Sequence, residues 1–163
     1  MKESARGLRA KVLTVSDSVS RGEREDLSGP AVADRLRREG YEVVESRTVP
    51  DGSTSVLEAL MGLCKNFHGL VVTTGGTGFG PRDFTPEGTR RAIDREAPGL
   101  AEAMRAASPK GRLSRGMAGV RGRALILNTP GSPEGAVEAL EAVLDVLPHA
   151  LRLLSGDPTR HPG

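Results

Sequence analysis

Four apolar, largely β-branched runs punctuate the chain: Ala10–Val15, Tyr41–Val49, Leu70–Thr74 and Ala124–Leu127. Their near-continuous apolar character predicts strands covered on both faces, because a half-exposed strand would alternate. Between and after them the apolar spacing shifts to three and four, the helical period. Ser28-Gly29-Pro30 starts one predicted helix and Gly40 ends it, with Pro near the first turn and Gly at the C-cap. Ser53 is read as the cap of a second, whose apolar face runs Val56, Leu60, Leu63, Cys64, Phe67. Thr85-Pro86-Glu87 opens a third, with a capping hydroxyl and Pro at the first helical position. Pro98 starts a fourth, through about Ala107, and Ser132-Pro133-Glu134 a fifth with the stripe Val137, Leu140, Leu144, Leu147. Pro148 bends or restarts that helix toward Leu154. No helical period runs from Pro109 to Arg123, where a short extra strand, Met117–Val120, or a subsidiary hairpin is expected.

Strands alternating with helices imply an α/β fold: three layers, with a mostly parallel sheet and helices on both faces. The 163 residues fit one domain, 1–163, ending in a loose Pro-rich tail at about 156–163. The 23 Lys+Arg nearly balance 21 Asp+Glu, and aromatics are 2%, which argues against a nucleic-acid binder. A lone cysteine, Cys64 on the predicted core stripe, excludes a disulfide framework and a Cys-rich zinc site. The histidines His68, His149 and His161 have no ligand spacing. No apolar run would span a bilayer and no hydrophobic signal core is seen, so a cytoplasmic protein without membrane contact is expected.

Glycine, 21 residues, gathers in short motifs after the strands. The strands end in Ser16-Asp17-Ser18, Pro50-Asp51-Gly52, Thr73 through Asp83 (TTGGTGFGPRD) and Asn128 through Pro133 (NTPGSP). In a parallel sheet these ends share one edge, where such folds bind ligands. The Gly75–Gly80 stretch can curl its N–H groups around phosphate oxygens. It is not a Walker A loop, since Pro81-Arg82 follows where Lys and Ser/Thr would stand. The plain alternative is a tight turn without a ligand. Asp51 and Asp83 are the metal or acid/base candidates, because paired carboxylates beside phosphates commonly hold Mg²⁺. A local turn or capping role competes for each. From Ala103 to Ser132 there is no acidic residue but six cations, Arg105, Lys110, Arg112, Arg115, Arg121 and Arg123. That stretch is either a solvated face or a source of phosphate contacts, with Ser114 and Arg115 in a loop that could reach the crevice.

Seven motifs in order, VLTVSDS (12–18), DLSGP (26–30), VPD (49–51), TTGGTGFGPRDFTPE (73–87), APGLAEAMR (97–105), LSR (113–115) and LILNTPGSP (125–133), resemble the MogA/MoaB family, which includes the G domains of proteins such as gephyrin. The resemblance implies that fold and a homotrimer. It also implies transfer of AMP from Mg-ATP to molybdopterin, releasing pyrophosphate, ahead of metal insertion. Carried over by position, Gly75, Gly76, Thr77 and Gly78 match the phosphate loop, and Asp51 and Asp83 the acidic residues of metal binding and catalysis. Ser114, Asn128, Pro130, Gly131 and Ser132 match segments lining the substrate pocket, and Ser16 and Asp17 the first-strand motif. Arg115 is the candidate cation for transition-state charge. Ser132 stands where many members carry Asn or another polar residue. Some MoaB-type members lack the PD and PRD patterns; this chain retains both. The alternative is a MoaB-type molybdopterin-binding or scaffold protein without turnover. The implied partners are ATP, molybdopterin and the molybdenum insertion protein.

Overall fold

The computed structural model describes residues 3–156; the tail expected at 156–163 lies, apart from Gly156, outside the described residues. The sheet has six strands: β1 (Arg9–Val15), β2 (Glu42–Val49), β3 (Gly69–Thr74), β4 (Arg95–Glu96), β5 (Ala118–Arg121) and β6 (Ala124–Thr129). Their spatial order is β2-β1-β3-β6-β5-β4. The first four in that order are mutually parallel, and β5 and β4 extend the sheet antiparallel beyond β6. The strand expected near 117–120 is thus β5, hairpinned to β6 through Gly122, which adopts φ +60°.

The helices are α1 (Asp17–Ser20), α2 (Ser28–Glu39), α3 (Ser53–Cys64), α4 (Thr85–Ala92), α5 (Pro98–Arg105), α6 (Pro133–Glu141) and α7 (Leu147–Leu154), with a 3-10 turn over Pro109–Leu113. Alternation along the strands sorts the core onto two faces. Val12, Leu70, Val72, Leu125 and Leu127 pack with Val32 and Leu36 of α2, Leu140 of α6 and Leu151 of α7. Leu13, Val71 and Ile126 turn the other way, onto Val56, Leu60 and Leu63 of α3. Cys64 is buried, and burial pushes its thiol up to about 11, so it is packing rather than a nucleophile.

Gly40 ends α2 at φ +115°, and Ser132 caps α6 by accepting from Gly135 N–H at 3.1 Å, both as the sequence predicts. Three other caps differ. Ser28 already lies inside α2, whose N-cap position is Leu27, without a side-chain capping bond; one residue earlier, Asp26 Oδ1 accepts from Gly29 N–H at 2.9 Å while Oδ2 accepts from the Thr14 hydroxyl at 2.7 Å. Gly52, not Ser53, occupies the α3 cap position. Thr85 is the first residue of α4, and its hydroxyl donates to Gly75 O at 2.8 Å. The fifth helix ends at Glu141 and restarts at Leu147 as α7, the second of the two outcomes expected of Pro148, while Phe67 is buried beyond the end of α3.

Asp26→Ala removes both the cap-like bond from Gly29 N–H in the first turn of α2 and the tie to β1. Urea unfolding should show a loss of about 1–2 kcal/mol, the range for a lost cap. Ser28→Ala, which removes no capping bond, should cost less than half as much.

Candidate functional site

The parallel register aligns Val15 with Val49, Thr14 with Thr74, and Thr74 with Thr129, so four strands end level on one edge. Their turns are bolted together there. Asp17 N–H donates to Asp51 Oδ2 at 2.9 Å, and Asp51 N–H returns a bond to Asp17 Oδ1 at 3.1 Å. Arg82 closes the knot, donating to both Asp17 oxygens at 3.1 and 3.2 Å and to Asp51 O at 2.9 Å. The β6 turn joins through Thr74 Oγ1 to Pro130 O, 2.6 Å, and Gly75 N–H to Thr129 O, 3.1 Å.

Close approach explains the glycines at the head of the loop. Gly75 and Gly76 have φ +103° and +70°, and a Cβ at either would collide, with Val15 O and with Thr85 Oγ1 respectively. A Cβ on Gly76 would also lie 3.1 Å from Asp51 Oδ1, and one on Gly78 3.1 Å from Asp83 Oδ2. Both carboxylates therefore border the same short stretch of backbone. Asp83 Oδ2 also accepts from Gly80 N–H at 2.9 Å. Gly75 N–H is occupied by Thr129 O, whereas the N–H groups of Gly76, Thr77 and Gly78 have no protein partner among the described residues.

The charges are graded. Arg82's hydrogen bonds hold the Asp17 carboxyl below its ordinary range. Burial, with Asp17 and Asp83 adding repulsion, pushes half-buried Asp51 upward against the opposing pull of the Asp17 N–H bond. A divalent cation beside Asp51 would reverse that penalty. Two carboxylates bordering an N–H-rich loop suit Mg²⁺, which takes one or two carboxylates and completes its shell with water and phosphates. No cluster of three or more His, Cys, Asp or Glu ligands occurs among the described residues, so an all-protein metal cage does not compete with that reading.

Two clefts meet at this loop. One, of about 510 Å³, lies over Ser16, Asp26, Asp51, Gly75 and Gly76. The other, of about 1060 Å³, runs between Thr77, Gly78, Ser114, Asn128, Pro130, α5 and the start of α6. Gly76, Asp83, Gly131 and Ser132 border both. Two of the residues singled out by sequence line neither cleft: Asp17, which sits behind Asp51, and Arg115. Arg115 braces the loop instead, donating to Gly78 O, Asp83 O and the Glu87 carboxylate. Asn128 borders the larger cleft, yet its amide is committed to the fold: Oδ1 accepts from Met117 N–H, and Nδ2 donates to the Thr73 and Thr89 hydroxyls, all at 3.0 Å.

The basic stretch resolves in the same way. Arg105 and Lys110 line the larger cleft, although Arg105 also holds Gly116 O at 2.6 Å. Arg112 and Arg121 bind the carbonyls of Pro109 and Ala92. Sequence reasoning gave no role to Arg82, Asp26 or Glu87. For Arg82 the signal was its place between Pro81 and a candidate catalytic acid; Glu87 carried only its helix-start role.

Asn128→Ala leaves one buried N–H and two buried hydroxyls without that partner. Denaturation should show a loss of about 2–3 kcal/mol, the cost of stranding such groups.

Residues 11–149 match the family model described as "Probable molybdopterin binding domain". The molybdopterin adenylyltransferase of Helicobacter pylori (strain J99) is 39% identical over 153 residues, covering 90% of this chain and 87% of the relative. That of Escherichia coli K12 is 36% identical over 169 residues, covering 91% and 86%. Among solved structures, the molybdopterin biosynthesis enzyme MoaB of Thermus thermophilus superposes with a TM-score of 0.84 at 50% identity, covering 94% of this chain and 99% of that one.

Proposed function

The chain belongs to the molybdopterin-binding family of molybdenum cofactor biosynthesis, and from that membership we propose that it is a molybdopterin adenylyltransferase. The observation that carries the reading is the junction of two clefts at one loop bordered by two carboxylates. That layout suits a two-substrate nucleotidyl transfer, with each substrate in its own cleft and the phosphates meeting at the shared loop.

A terminal phosphate oxygen of molybdopterin forms a bond to the α-phosphorus of ATP. The bond from that phosphorus to the bridging oxygen breaks, and pyrophosphate leaves with the electron pair. The nucleophile is already ionised near neutral pH, so no side chain has to act as a general base. The chain's task is positioning and charge stabilisation. The Gly76, Thr77 and Gly78 N–H groups are the donors available to phosphate oxygens; Gly75 N–H, bonded to Thr129 O, is not. Lys110 and Arg105 border the larger cleft and add positive charge. Asp51 and Asp83 would hold Mg²⁺, which when bound screens the phosphate charges. Ser16, Ser114, Pro130, Gly131 and Ser132 shape the walls. Asp17, with Arg82, keeps Asp51 in place.

The family resemblance supports a homotrimer and hand-over of the product to a molybdenum insertion protein. No helix among the described residues is long and apolar enough to cross a membrane.

Asp51→Asn and Asp83→Asn keep side-chain shape while removing charge. Each should stay folded, bind molybdopterin, and lose pyrophosphate release by about 10²-fold or more, the scale of a lost catalytic electrostatic contact. A chelator should abolish wild-type turnover, and added Mg²⁺ should restore it. Near-normal turnover in both variants overturns the metal-pair assignment. Wild-type protein that binds molybdopterin and Mg-ATP without forming adenylylated pterin, read by mass spectrometry, overturns the transferase reading.

A further inference from the structure

We propose that Glu87 is a positioning residue for this site, acting through Arg115 to set the backbone that carries Asp83; the proposal rests on the transferase reading. Between Gly78 and Asp83 the chain makes an outward excursion in which Phe79 is 71% exposed and Gly80, Pro81 and Arg82 are exposed as well. An apolar core does not hold this segment. Both of its feet rest on one guanidinium: Arg115 Nε donates to Gly78 O at 2.8 Å, and Nη2 to Asp83 O at 2.6 Å. The Arg115 N–H adds a bond to Thr77 O at 2.8 Å, which ties the same loop to the chain after the 3-10 turn.

The direction of that fork is set from behind. Glu87, in the first turn of α4, accepts from Nη1 at 2.6 Å and from Nη2 at 3.3 Å. The pair is mutually reinforcing: the Arg115 bonds hold the Glu87 carboxyl below its ordinary range, and Glu87 holds the guanidinium above its own. A planar fork gripping a carboxylate on one side presents fixed donors on the other, which a lysine ammonium cannot do. Both side chains are only half-buried, so the attraction adds little to global stability. Its effect falls on geometry. At the two feet sit Asp83, which borders both clefts, and Gly78, which borders the larger one. Arg115 therefore serves the site without lining either cleft, and Glu87 serves it from one residue further back.

The test compares wild type with Glu87→Gln, Glu87→Ala, Arg115→Lys and the Glu87→Gln/Arg115→Lys double variant, all as the full chain. Steady-state kinetics with molybdopterin and Mg-ATP are paired with hydrogen exchange of the peptide spanning residues 78–84 and with melting temperature. Each single variant should lower kcat by about 10–100-fold, the scale of a misplaced catalytic group, with KM for both substrates within about 2-fold. The double variant should be no worse than the poorer single one, because the two residues act as a unit. Exchange in the 78–84 peptide should accelerate while the melting temperature moves by no more than about 4 °C.

Wild-type kcat in Glu87→Gln and Glu87→Ala overturns the proposal. So does a loss confined to KM in Arg115→Lys, which would make Arg115 a substrate contact. Should wild type itself form no adenylylated pterin, the transferase reading fails and exchange decides the loop geometry alone. Unchanged exchange at 78–84 in Glu87→Ala then overturns the clamp, and acceleration upholds it.

Discussion

Three carboxylates, Asp17, Asp51 and Asp83, are crowded at one sheet edge, and the site depends on how their repulsion is divided. Arg82 lies along Asp17 with two hydrogen bonds, which leaves that charge compensated and low in proton affinity. Asp51 receives one N–H bond from Asp17 but, among the described residues, no cation contact on its carboxylate; burial and its acidic neighbours raise it, against the Asp17 N–H bond and the nearby Arg82 charge. The result is a local deficit of positive charge at the loop that borders both clefts. A half-buried carboxylate kept near a like charge is unfavourable by itself and favourable beside a cation. On the proposed reading, the pairing of Arg82 with Asp17 would leave Asp51 and Asp83 as the carboxylates for Mg²⁺.

The same knot explains why glycine dominates the loop. Tying Asp17 to Asp51 draws the β1 and β2 turns together, and Gly75 must pass directly against Val15 O. Gly76 then passes against Thr85 and Asp51. No side chain fits at either point, and both residues sit at positive φ. The loop is therefore shaped by its neighbours as much as by its own freedom, and that keeps its N–H groups in a defined arrangement.

The main strands and the layer order were legible because they rest on apolar period, a property of the local chain. So was the convergence of the strand-end turns, which follows from parallel topology. What sequence could not show was the aim of polar side chains. Ser28 and Thr85 have the composition of caps, yet the first-turn N–H of Gly29 in α2 is met by Asp26, and Thr85 is drawn away by Gly75 O, a group ten positions upstream. Asn128 reads as a ligand-facing polar residue after a strand, but three internal partners fill its amide. Strand β4 escaped because two exposed residues carry no period. Strand β5, four residues of which one is glycine, was legible only as one of two options for an aperiodic stretch.

Arg115 shows most sharply how charge can mislead. Its position in an acid-free stretch suggested affinity for anions, and four of the six cations there instead hold backbone carbonyls: Arg105 on Gly116, Arg112 on Pro109, Arg115 on Gly78 and Asp83, and Arg121 on Ala92. Loops have carbonyls that no ladder satisfies, and a guanidinium reaches several of them from one anchor. The stretch is largely a scaffold built of arginine. On the proposed transferase reading, recognition of a multiply charged substrate would then fall to the loop N–H groups and to Lys110, with Arg105 also bordering the larger cleft. Backbone dipoles act only where they point, so a site that relies on them is stringent about loop position in a way that a cluster of free lysines would not be. By the positioning role proposed for Glu87 and Arg115, an ion pair outside both clefts would be consequential for the chemistry inside them.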